Sequence, residues 1–136
     1  MTHCFRSAAF AVVFVGLAAP AVADDSTVEA VIDQWTQNLV VKDYDSWVGY
    51  WTADGLLLPP DHPPVTGHDA ILAYAKDDFA SAGDFSFSDW TIEAGGRLAV
   101  VTNDIKWGDQ PYKQVIVLRH ADDAWKVHIV MFNTGV

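Results

Sequence analysis

The hydrophobic period changes once along this chain, from 3.6 residues in its first half to 2 in its second. That single change restricts the fold class to α+β, with helices first and a meander of strands after them. Val28, Val31, Ile32, Trp35 and Leu39 form one apolar helical face behind Ser26-Thr27-Val28-Glu29, which has capping-box form. Tyr44, Trp47, Val48 and Trp51 repeat at helical spacing over a short second segment capped by Asp43 or Asp45. Ile71, Leu72, Ala75 and Phe79 mark a third helix with Gly83 past its end. Between these two helices, Ala53-Asp54-Gly55 reads as a turn and Leu56-Leu57-Leu58 as a short buried strand. Pro59-Pro60-Asp61-His62-Pro63-Pro64 then reads as a stiff loop, because prolines cannot donate to a sheet. Val65-Thr66-Gly67 leads into helix three.

Four period-two segments follow, at 85–94, 97–107, 112–120 and 125–133. In the first, Phe85 and Phe87 have one parity and Trp90 and Ile92 the other, which a one-residue bulge near Ser88-Asp89 would produce. A bulge bends a sheet. The expected architecture is a cone-shaped, curved, mostly antiparallel β-sheet wrapped over three N-terminal helices, a shape with an open end.

Residues 1–23 are expected to stand apart from this domain. His3 and Arg6 precede an apolar run from Ala8 to Ala19, and Ala21-Val22-Ala23 has the form of a cleavage site before Asp24. At about 12 residues the run is too short for a bilayer, which needs about 20. The pattern predicts a secretory signal peptide, a single domain over 24–136, a periplasmic or secreted location, and no membrane span after cleavage. The one cysteine, Cys4, lies in the leader, so no disulfide or multi-cysteine metal site is expected in the mature chain. A net charge of −10 repels phosphate backbones and disfavours nucleic-acid binding, while neutral or cationic ligands are tolerated.

Several side chains are candidates for function. Asp61 and His62, held between two Pro-Pro pairs at the expected rim of the cone, form the candidate acid–base pair; a solvated loop is the structural alternative. Strand parity turns Asn103 inward together with Ala99, Val101, Ile105 and Trp107, so a buried amide would need partners there. Trp35, Trp90 and Trp107 come from three elements whose inner faces meet, and are placed on a pocket wall. In the last strand both parities carry large apolar groups, Trp125, Val127, Ile129 and Met131 against Val130 and Phe132. This predicts cover on both faces, hence a homodimer, with His128 in the pocket or the interface. His68 falls in the first turn of helix three and His120 beside a hairpin turn. No pair of ligands has metal-site spacing, so neither a metal nor another cofactor is expected.

Four segments taken together resemble the nuclear transport factor 2-like superfamily, in its SnoaL-like and ketosteroid-isomerase-like bacterial branch. They are Trp51-Thr52-Ala53-Asp54-Gly55-Leu56, Val65-Thr66-Gly67-His68-Asp69-Ala70-Ile71, Leu118-Arg119, and Trp125-Lys126-Val127 closing on Phe132-Asn133-Thr134. The resemblance spans nearly all of 28–134 and implies the cone fold. It also implies a polar pocket residue at Asn133. The isomerase machinery is not carried over: its base position falls at Pro59-Pro60, its helix-one tyrosine near Trp35, and its second acid near Ile116, which can donate nothing. Superfolds host many activities. The sequence therefore supports a binder of a small, apolar, neutral or cationic molecule, with proton-transfer chemistry on Asp61 if it is an enzyme. The alternative is a non-catalytic module with a filled cone that docks through its sheet, on a second copy or another protein.

Overall fold

The computed structural model describes residues 25–134; the signal-peptide reading and Cys4 lie outside the described residues. Helix α1 (Asp25–Val40) and the short α2 (Tyr44–Val48) are followed by strand β1 (Trp51–Leu58) and a two-residue β2 (Val65–Thr66). Helix α3 (His68–Tyr74) continues into one π-helical turn, Ala75–Phe79, before β3 (Phe85–Gly95), β4 (Leu98–Trp107), β5 (Gln110–Ala121) and β6 (Ala124–Thr134). One six-stranded sheet results, in the order β2-β1-β6-β5-β4-β3. All neighbours are antiparallel except β1 and β6.

Local chemistry accounts for the ends of these elements. Asp43 caps α2 by accepting from the Ser46 backbone N–H at 3.2 Å. The β5–β6 hairpin turns on Asp122 and Asp123, both at positive φ (52° and 59°), as a two-residue loop of matching twist requires. His120, expected beside this turn, pairs with Trp125 as the penultimate residue of β5.

The bulge expected near Ser88-Asp89 is present: Ser88 pairs with Asp104 but Thr91 with Thr102, so β3 carries one extra residue. Asp89 sits there at φ 56°. The bulge lets Phe85 and Phe87 before it and Ile92 and Ala94 after it all pack against the core.

Two sequence expectations need correction. Trp51 does not continue helix two, and Ala53-Asp54-Gly55 is no turn. Strand β1 begins at Trp51 because its backbone is captured by β6, with Trp51 opposite Val127 and Leu56 opposite Ile129. Five steps on β1 therefore oppose two on β6, and the segment between them bulges outward. The second correction concerns β6, which does not keep one parity. Val117 faces Ile129 while Leu118 faces Val127, so β6 has an extra residue at His128. Trp125 and Val127 point to the core before it, and Val130 and Phe132 after it. That bulge, and not cover on both faces, is why both parities hold large apolar groups; the parity argument for a homodimer loses its premise.

Gly55 makes the bulged stretch of β1 possible. A Cβ there would lie 2.7 Å from Trp51 Cε3 and 3.1 Å from the Thr52 carbonyl oxygen, and 3.4 Å from Ile71 Cδ1. Ile71 can yield by a small rotation, but the Trp51 ring is fully buried and fixed. Gly55→Ala is expected to cost about 1–2 kcal/mol, measured by urea denaturation, in the lower part of the range for overpacking. An unchanged midpoint would mean that the Trp51 ring has room this packing does not provide.

Candidate functional site

The helices cover the concave side of the sheet, and rings from both layers fill the cone between them. Phe79 at the end of the π-turn lies edge-on to Trp107 at 5.1 Å and to Phe85 at 5.2 Å. Phe85 stacks on Trp107 at 5.3 Å, and Tyr112 meets Phe132 at 5.6 Å. Above them Trp35, Trp47 and Trp51 form a second cluster, with centroids 5.5–6.3 Å apart. What remains open is a hollow of about 10 Å³ lined by Trp35, Trp47, Trp107, Tyr112, Gln114 and Phe132 among others. That is room for one water. Among the described residues, no carboxylate, imidazole or amine lines it.

Some buried polar atoms around this plug lack partners within the protein. Asn103 and Gln114 are opposite one another on β4 and β5. Both are buried, and Asn103 Oδ1 and Gln114 Oε1 accept nothing, as Nε1 of Trp35, Trp47 and Trp107 donates nothing. The amide of Asn103 spends one N–H on the Asp104 carbonyl at 3.2 Å.

Measured against the sequence-based candidates, this cone keeps Trp35 and Trp107 in the lining of its hollow and Asn103 on its concave face. The other candidates lie elsewhere. Asp61 is exposed and outside the lining, at φ 56° on the proline loop, and His62 turns its Nδ1 onto the Pro63 carbonyl at 2.7 Å. His62 also meets Tyr74 edge-on at 5.1 Å, along a shallow outer depression. Burial, with the charges of Asp78 and Tyr112, pushes the Tyr74 phenol up to about 12, which keeps it protonated near neutral pH. The acid–base pair is thus not at the cone: the loop that stiffens it also holds it outside. Trp90 stacks on Phe87 at 5.9 Å on the edge strand and remains 37% exposed. Asn133 is exposed, because the β6 bulge reverses parity ahead of it.

The same bulge turns His128 to the convex side, into a cluster that the sequence analysis does not include. Its Nδ1 lies 2.8 Å from Thr52 Oγ1 and its Nε2 2.6 Å from Arg119 Nη2. A guanidinium can only donate, so Nε2 accepts and the proton sits on Nδ1, donated to Thr52. Burial lowers the His128 pKa, the Arg119 charge lowers it further, and Asp54 opposes them; the neutral ring that the hydrogen bonds demand is favoured. Asp54 Oδ1 stands 3.8 Å from both His128 Nδ1 and Arg119 Nη1, too far for a hydrogen bond. Nearby, His68 Nε2 donates to the Trp51 carbonyl at 2.9 Å, bracing the bulged part of β1. These groups border a cleft of about 360 Å³ with Arg119, Asp54, Asp122 and Lys126 on its walls. Among the described residues, no three His, Cys, Asp or Glu side chains are grouped as a metal site.

A two-layer cone of this strand order, with helices on the concave face, defines a curved-sheet α+β domain. The chain belongs to the SnoaL-like domain family, whose sequence model matches residues 28–130, within the nuclear transport factor 2-like superfamily. Comparison with curated proteins gives no significant match. Among solved structures the chain is similar to a ketosteroid isomerase-like protein from Erwinia carotovora atroseptica, with TM-score 0.74 and 16% identity over 82% of this chain and 96% of that one. It is also similar to an NTF2-like protein from Cytophaga hutchinsonii, at TM-score 0.71 and 17% identity over 81% and 97%. A third is an NTF2-like protein with a cystatin-like fold from Novosphingobium aromaticivorans, at 0.68 and 13% over 80% of each chain. Identities this low speak for the fold alone.

Proposed function

We propose that this domain is a non-catalytic module that docks through the convex face of its sheet onto a second copy of itself. The observation that carries the reading is the filled cone: the space where relatives of this shape could hold a substrate is taken by the chain's own rings. Among the described residues no carboxylate, imidazole or amine lines it, and the one titratable group there is the Tyr112 phenol. Proton-transfer chemistry based on Asp61 finds no support in this geometry.

The convex face supplies a surface suited to docking. Register aligns Leu56, Ile129, Val117 and Val100 in one row across β1, β6, β5 and β4, and Leu58, Met131, Val115 and Thr102 in the next. Neither row carries a charge across these four strands. Val100 is 42% and Met131 40% exposed, unusual for such side chains on a free surface. Two copies, each of net charge −10, repel one another except where charge is absent. The uncharged rows are such a place, and a twofold axis through them would pair the patch with itself. Sedimentation equilibrium over a range of concentrations tests this. A mass approaching twice the chain mass at micromolar concentration is expected, and a monomer throughout would overturn it.

A second reading, a small apolar neutral molecule inside the cone, is favoured by the unpaired Gln114 Oε1 and Trp Nε1 atoms. The two readings differ over Gln114→Met. In a filled core the change removes an unpaired buried acceptor and should raise stability by about 1 kcal/mol in urea denaturation. A loss of similar size would instead mean that the amide holds a bound partner, to be sought by denaturing mass spectrometry of the protein recovered from cell extract.

A further inference from the structure

The convex cleft beside His128 lies outside the cone and adjoins the first uncharged row at Leu56 and Ile129, and three features set it apart from ordinary polar surface. First, both strand irregularities of this half of the sheet converge on it, the outward bulge of β1 between Trp51 and Leu56 and the extra residue of β6 at His128. Bulges re-aim side chains, and here they bring Thr52, Asp54 and His128 to one point. Second, Arg119 is held there rather than left free: Thr52, itself 6% exposed, accepts from His128, and His128 accepts from Arg119. Third, the Arg119–Asp54 ion pair is made without a hydrogen bond. Arg119 and Asp54 stand 3.8 Å apart without a hydrogen bond, so guanidinium donors and carboxylate lone pairs both remain unspent.

Arg119 lies directly opposite Lys126 across β5 and β6, two cations side by side in a chain with only 8 Lys and Arg. Like charges in that position repel unless an anion lies between or near them. Lys126 Nζ gives one hydrogen bond to the Gly49 carbonyl at 3.3 Å and has two N–H groups left. A free anion, however, would approach against the net charge of the chain, and Asp54 and Asp122 flank the same cleft. A molecule carrying both charges avoids that conflict. We infer that this cleft binds a small zwitterion of the α-amino acid type, its carboxylate on Arg119 and Lys126 and its ammonium on Asp54. The planar Arg119 fork suits a bidentate carboxylate. The separation of Arg119 and Asp54 is on the scale at which the two charges of an α-amino acid sit, and Ala53 and Ala121 leave small apolar side chains in the lining for a short side chain.

The test is a nuclear magnetic resonance titration of the full protein, following the His128 ring nitrogens and the Arg119 side chain. The probes are L-alanine, propionate and ethylammonium, which share a skeleton and differ only in which charges they carry. Saturable shifts with L-alanine, at least tenfold tighter than with either single-charge probe, are expected. Arg119→Gln should abolish them and Arg119→Lys weaken them, as loss of a bidentate fork requires. Propionate matching L-alanine would make the cleft a plain anion site, and ethylammonium matching it a plain acidic surface; either overturns the inference. So does the absence of any saturable shift up to about 100 mM, beyond which binding is weaker than about 1.4 kcal/mol.

Discussion

Trp47→Ala is expected to remove a large part of the stability of this domain. Trp47 is 1% exposed and touches three elements of the core at once: Trp35 on α1 at 5.7 Å, Trp51 on β1 at 5.5 Å, and Phe79 at the end of the π-turn at 5.9 Å. Removing a fully buried tryptophan costs about 3–5 kcal/mol, the lost transfer energy plus the cavity. A domain of this size is stable by about 5–15 kcal/mol. No disulfide is available to offset the loss, since the only cysteine is Cys4. Chemical denaturation followed by tryptophan fluorescence reads the effect directly. Trp47→Phe, which keeps a ring against Phe79 and Trp51, should retain at least half of the stability. If Trp47→Ala costs less than about 1 kcal/mol, the tryptophan cluster is not the keystone of this core.

Why the sequence reads well in some places and badly in others is visible in this same cluster. Helix α1 was legible because its five apolar positions repeat over about three turns, long enough for period to dominate. Strands β3 and β4 were legible for a similar reason: the parity change between Phe87 and Trp90 has one local explanation, a bulge, and β4 keeps a single parity throughout. Trp51 was misread because four residues at helical spacing look alike whether the last belongs to the helix or to the strand after it. What decides the matter is a parallel partner, β6, more than seventy residues away in sequence, and no local pattern encodes it.

The candidate site suffered from the same kind of non-local cause. A parity change in β6 had two explanations, cover on both faces or a bulge, and the sequence could not choose; the bulge at His128 moves that side chain to the convex face and carries Asn133 out of the cone. The proline-bounded Asp61-His62 loop is expected to be stiff, but stiffness does not say which way a loop leans. Thr52, Asp54 and Arg119 entered the sequence reading only as parts of the family resemblance, which assigns them no site. A hint lay in the opposition of Arg119 and Lys126 across a two-residue hairpin, which places two scarce cations side by side. Asn103 and Trp107 were placed inward by a parity that holds, and the structure keeps both there.

The convex face yields the second large effect. Val100→Glu and Met131→Glu together should raise the dissociation constant of the dimer at least 100-fold, about 2.7 kcal/mol. Both side chains are exposed in the single chain, so the substitutions have no core to disturb, and circular dichroism should be unchanged. Their cost comes only on association. A twofold contact would gather four new carboxylates within a patch whose two central rows hold no charge, and each must be desolvated or set against another. Salt separates the two contributions. Repulsion between carboxylates is screened within about 8–10 Å at physiological ionic strength, so raising the salt should recover part of the affinity. Desolvation is insensitive to salt and should keep the rest lost. The reverse substitution, Asp104→Asn at the next row, removes an acid just outside the uncharged patch and should strengthen association modestly. If the double variant dimerises as tightly as the parent chain, the two copies meet on some other surface, and the uncharged rows need another explanation.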